Sequence, residues 1–97
     1  MNRFVISGEV ISLDALRYTP AGMPLLNVKL GHRSEQIEAG TKRLVRCEVP
    51  LILAGELAEA ANSFKTGDKI KVHGFLDRKS QNNSQLIMHG TKIETSK

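Results

Sequence analysis

The 97 residues allow one domain, 1–97, around one modest core, and exclude a catalytic domain beside a separate binding domain. Lys and Arg total 14 against 10 acids, a net charge of +4 with a pI near 9.5, which suits polyanionic partners without requiring them. One cysteine, Cys47, excludes an internal disulfide framework and a cysteine-built zinc site, and the absence of a secretory-type leader or a membrane-length apolar run makes a cytoplasmic protein, off the membrane, the expectation.

In chain order, Phe4 to Ile11 reads as a first strand, with Phe4, Ile6 and Val10 on an apolar face and Ser7 and Glu9 turned away. Gly8 interrupts that face and marks a bulge or sharp bend, as a small barrel needs where one long strand serves both halves of its wall. The segment Arg17-Tyr18-Thr19-Pro20-Ala21-Gly22-Met23-Pro24 reads as a projecting turn: Pro20 sets φ, Gly22 supplies freedom at positive φ, and Pro24 keeps Met23 extended. The second strand sets Leu26, Val28 and Leu30 against Asn27, Lys29 and Arg33, after which Ser34 to Gly40 is expected to be a polar loop. Alternation resumes from Thr41 to Val49, with Val45, Cys47 and Val49 inward and Leu44, Arg46 and Glu48 outward, and Pro50 is expected to end the strand.

Leu51 to Phe64 is rich in alanine and glutamate and predicts a short helix, its start blurred by Gly55. Gly67-Asp68 is a turn signal, and Lys69 to Lys79 alternates with Ile70, Val72, Gly74 and Leu76 inward and Phe75 outward. Asn82-Asn83-Ser84 reverses the chain into a last strand, Leu86 to Ile93, and the tail from Glu94 to Lys97 carries no packing signal. Three strands, a short helix or helical turn, and two more strands make an all-β protein with the order of the five-stranded Greek-key barrel known as the OB-fold, whose second and third strands and flanking loops bind oligonucleotides.

No residues converge for catalysis. His32, His73 and His89 share no metal spacing, Glu56 and Glu59 are a solvated helix face, Cys47 is expected to be a buried inert thiol, and no phosphate-cradling glycine motif occurs. The enzyme reading therefore has no constellation behind it, and no cofactor or metal is expected. Cations are better organised: Lys29, Arg33 and Arg46 fall on the two groove strands, and Arg17, Arg78 and Lys79 near the two loops. Lys42 and Arg43 extend this set, either holding phosphate or dressing an exposed strand end. Tyr18 either stacks on a base or folds over Pro20 and Met23 as a loop anchor, and an outward Phe75 suits packing or a self-association face.

The chain resembles the primosomal replication protein N (PriB) family, dimeric OB-fold relatives of single-stranded DNA-binding protein. Asn2-Arg3, Val5-Ile6-Ser7-Gly8, Thr19-Pro20-Ala21-Gly22-Met23-Pro24, His32-Arg33-Ser34 running to Glu38-Ala39-Gly40, Cys47-Glu48-Val49-Pro50 and Val72-His73-Gly74-Phe75-Leu76 carry the likeness. It implies a non-enzymatic homodimer that binds single-stranded DNA and bridges the restart helicase PriA, the loading partner DnaT and single-stranded DNA-binding protein. The implied DNA surface maps onto Arg17, Tyr18, Arg33, Arg46 and Lys79. Arg46 stands where an aromatic can stand, Tyr18 where a lysine can, and Gln81 and Gln85 in a region that can be lysine-rich, departures that point to weaker DNA binding. Two other readings are a protein-interaction OB module with residual nucleic-acid affinity and a cold-shock-type RNA binder, the latter weakened by missing aromatic-rich strand motifs.

Overall fold

Alternating apolar residues of five long strands turn toward one interior, where Val10, Leu26, Leu30, Leu53, Val72 and Met88 are each 0% exposed. Full burial of each such side chain is worth about 1.5–3 kcal/mol. The computed structural model describes residues 1–95. Its elements are β1 (Phe4–Leu13), β2 (Arg17–Tyr18), β3 (Pro24–Glu38), β4 (Thr41–Ala54), α1 (Glu56–Ala61), β5 (Lys69–Ser80) and β6 (Asn83–Thr95). The sheet runs β1-β5-β6-β4-β3 and closes through a second pairing of β1 with β3, while the two-residue β2 lies on the edge of β3. Neighbours are antiparallel except β4 and β6, which meet in parallel at Leu51 and Ile52. This is the OB-fold barrel expected, with the helix between its third and fourth long strands.

Closure turns on β1. Glu9 pairs with Lys69 of β5 and with Gly31 of β3, so the strand passes from one neighbour to the other at that residue. Gly8 allows the approach, because a Cβ there would lie 2.3 Å from the Gly31 carbonyl oxygen. The ladder irregularity falls at Val10 to Ser12, not at Gly8, so the glycine serves close contact and not a bulge.

Several expected boundaries differ. Ser34 to Glu38 is strand, not loop: β3 and β4 pair without a break from Leu25↔Ala54 to Glu38↔Thr41 and form a ribbon, here called the arm, that projects past the barrel. Its turn is Ala39-Gly40, both left-handed with φ of 50° and 79°, the signature of a tight type I′ hairpin. Pro50 does not end β4, which continues to Ala54; its missing N–H is tolerated because β6 joins the open side of β4 only from Leu51 onward. Leu51 and Leu53 are thereby core strand residues, and the helix shrinks to Glu56–Ala61, whose buried Ala58 and Ala61 pack against the barrel. Of the tail, Glu94 and Thr95 belong to β6, and Ser96 and Lys97 lie outside the described residues. The radius of gyration, 14.3 Å, exceeds the about 12.5 Å of a compact chain of this length, and the arm is the departure from compactness.

Candidate functional site

The unbroken β3–β4 register decides which side chains share a face. With period 2 along each strand, Asn27, Lys29, Gly31, Arg33, Glu35 and Ile37 of β3 stand beside Lys42, Leu44, Arg46, Glu48 and Pro50 of β4 on the outer surface. Arg33 and Arg46 are direct cross-strand partners. Among the described residues neither makes an ion pair, and like charges directly opposite destabilise a ladder, so the pair presents two fork-shaped donors with no carboxylate in direct contact. They line an open recess of about 520 Å³ with Glu9, Ile11, Gly31 and Glu48. Ile11 lies over Gly31, where an added Cβ would come within 2.7 Å of its Cδ1.

The other cations sort by face. Lys29 is on the same surface, 3.6 Å from Glu48 in a solvent-exposed pair of the kind that contributes little and exchanges readily for a better anion. Lys42 is also on this surface, 3.7 Å from Glu35. Lys29 and Lys79 line a second recess of about 230 Å³ with Asp14, Asn27, Pro50 and Ile87, so Lys79 of the β5–β6 hairpin borders the same surface. Arg17 reaches the same surface by donating from Nη2 to Asn27 Oδ1 at 3.0 Å, and Tyr18 beside it is exposed, paired with Pro24. Two expected members are elsewhere. Arg43 is opposite Gln36 on the other face of the arm and is paired with Glu38, and Arg78 donates to the Gln81 carbonyl at 3.5 Å inside its own hairpin.

Cys47 is exposed, not buried, because the core ends before the arm begins and the inward parity of Val45 and Cys47 has nothing to pack on. Its neighbour across the ladder, His32, fills the gap where β3 leaves β1. The Ser7 carbonyl, 2.6 Å from Nδ1, can only accept, so Nδ1 carries a proton; Nε2 shares a hydrogen bond with the Ser34 hydroxyl at 2.8 Å, which itself accepts from Gln36 at 3.0 Å. This chain clips the root of the arm to β1. Phe75 lies flat on His89, ring centroids 4.9 Å apart and planes within 4°, on the outer face of β5 and β6. Sequence reasoning placed Leu44 outward with Arg46 but missed Ile37, since Ser34 to Gly40 is polar enough to read as loop, and did not place Ile11, at the end of its first strand, on this surface.

Residues 2–92 match a family model described as another single-strand binding protein family. Replication restart protein PriB of Nitrosomonas europaea is 36% identical over 88 residues, covering 91% of this chain and 82% of that protein. The PriB of Pectobacterium atrosepticum is 36% identical over 97 residues, covering 97% of this chain and 92% of that protein. Among solved structures, PriB from Ralstonia solanacearum superposes with a TM-score of 0.89 at 29% identity, covering 98% of this chain and 97% of that one. Single-stranded DNA binding protein from Thermus aquaticus matches with a TM-score of 0.82 at 23% identity, over all of this chain and 50% of that one, a likeness of fold.

Proposed function

Because the chain belongs to the replication restart protein PriB family of single-strand binding proteins, we propose that it is a non-enzymatic single-stranded DNA-binding adaptor of replication restart that holds the strand on the outer β3–β4 surface. The observation that carries this reading is Arg33 opposite Arg46 with no ion pair to either among the described residues. Phosphates lie along one edge of a single strand, and a line of cations with loosely held counter-charges accepts them by releasing counterions. Lys29, Lys42, Lys79 and Arg17 extend the line from the arm to the two loops, and Tyr18 stands at its end. In this reading the chain works as a homodimer without cofactor or metal, and its bridging of the restart helicase PriA, DnaT and single-stranded DNA-binding protein is a further part of the proposal. The cytoplasm is where such an adaptor acts.

The test is a titration of a labelled single-stranded oligonucleotide at several salt concentrations. Log K is expected to fall with log salt by about 0.7 for each phosphate neutralised. Arg33→Ala and Arg46→Ala should each weaken binding about threefold to tenfold and lower the slope by about 0.7, whereas Arg43→Ala and Arg78→Ala should leave the slope nearly intact. Absent or salt-insensitive binding overturns the reading. A second reading, a protein-interaction module with residual DNA affinity, is favoured by Arg46 in place of an aromatic and by Phe75 being stacked on His89. It predicts that association with PriA survives nuclease treatment and is lost when the groove cations are replaced.

A further inference from the structure

Three aliphatic side chains stand exposed on the cationic surface: Ile11 at 38%, Leu44 at 56% and Ile37 at 67%. Single exposed apolar residues are ordinary on any protein. These three are ordered around the guanidinium pair, with Ile11 against Gly31 on the barrel side and Leu44 and Ile37 on the arm side. Successive outward residues of a strand are about 6.6 Å apart, twice the rise per residue, so from the barrel to the arm tip the rows read Ile11 over Gly31 beside Glu48, then Arg33 beside Arg46, then Leu44 beside Glu35, then Ile37 beside Lys42, with Glu35 held by Lys42.

We infer that Ile11, Leu44 and Ile37 are the base-contacting platform of this surface, an aliphatic substitute for stacking aromatics, with bases lying on their methyl groups while Arg33 and Arg46 hold the phosphates between them. The inference rests on the proposed single-stranded DNA binding and deepens it. The chain has no Trp and one Tyr, and that Tyr18 lies off the arm in the first loop. Phe75, 38% exposed, is stacked on His89 on β5 and β6, off the β3–β4 ribbon. The ribbon between Ile11 and the arm tip therefore carries no Trp, Tyr or Phe, and its one imidazole, His32, is held by Ser7 and Ser34. Every base has an apolar face, so a platform without ring geometry or hydrogen-bond donors accepts all four and discriminates little between them. The occupant is a polyanion and not an extended peptide because two guanidiniums without ion pairs stand between the aliphatic groups on the face of the ribbon, whereas a peptide strand would take the unpaired edge of β4 through its backbone and leave that face unused.

The experiment compares an oligothymidylate with an abasic oligonucleotide of equal length, which keeps the phosphates and lacks the bases. The protein is expected to prefer the oligothymidylate about tenfold, and the double variant Ile37→Ser, Leu44→Ser to lose most of that preference while keeping its affinity for the abasic strand and its salt slope. In this Trp-free chain, Leu44→Trp is expected to bind the oligothymidylate more tightly and to have its fluorescence quenched by it, with no quenching by the abasic strand. Unchanged oligothymidylate affinity in the double variant, or an unquenched Trp, overturns the platform and leaves the DNA-binding reading standing. Loss of PriA association with oligonucleotide binding unchanged overturns it in favour of a peptide. A protein that binds neither oligonucleotide overturns the functional reading and this inference together.

Discussion

Two guanidiniums facing each other across a ladder are an unfavourable arrangement that the fold carries without a direct ion pair to either, among the described residues, and this is what singles out Arg33 and Arg46 from the other cations. Lys42, Arg43 and Lys29 each have a carboxylate at hand. The sequence identifies Arg33 and Arg46 as outward cations, since strand parity is readable on either side of the arm, but it does not reveal that they are partners, because the register depends on a turn that carries no Asn-Gly or Asp-Gly signal. A different pairing governs acid stability. Glu94 accepts a hydrogen bond from His73 Nε2 at 2.7 Å, and that bond, aided by Lys92 and Lys71, holds its carboxyl below the ordinary value of 4.5. A depressed carboxylate pKa stabilises the fold above the ordinary value, and the contribution disappears as pH falls through the lowered one. Glu94→Gln should therefore lower Tm slightly at neutral pH, and the gap to the parent should close as the pH falls below the ordinary value of 4.5 and through the lowered one. Melts across that range measure it, and a gap that widens in acid contradicts the assignment.

At the level of elements, the barrel strands were legible wherever one face meets the core, as at Leu26, Val28 and Leu30 or at Ile70 and Val72. The same periodicity fails in the arm, where both faces meet water and Ser34, Glu35, Gln36 and Glu38 show no alternation to read. Leu51 to Ala54 misleads for the opposite reason: it borders an alanine-rich helix and follows a proline, yet tertiary burial of Leu51 and Leu53 draws it into β4. The arm owes its form to the turn. Ala39 holds φ of 50°, a conformation that costs a non-glycine residue energy and that Asn adopts more readily. Ala39→Asn should stabilise the protein by about 0.5 kcal/mol and raise Tm by about 2–4 °C, read by calorimetry. No change, or a loss, means that the turn is not held in the type I′ form.

For the molecule as a whole, one closed core carries the fold, and the proposed binding surface lies outside it, half on the barrel and half on the arm. Leu53 is at the centre of that core, 0% exposed and so near Gly90 that a Cβ on the glycine would fall 2.5 Å from its Cδ2. Leu53→Ala should cost about 2–5 kcal/mol, seen as a lower urea midpoint, and a cost below about 1 kcal/mol would mean that the barrel collapses to fill the space. The closed order of strands, with the helix in its expected place, was readable from the sequence because it follows from the number and succession of apolar runs; how far the arm projects was not, because no core residue records it. An arm whose side chains alternate strictly between two faces also limits how its length can change. Removing two residues from each of its strands would shorten the reach of the binding face and leave Leu44-type positions pointing the same way, whereas an odd indel would turn the distal half over and send its apolar groups to the Arg43 side. Variation in arm length among such proteins should therefore come in even steps, so that the footprint on a strand can be tuned without rewriting the barrel.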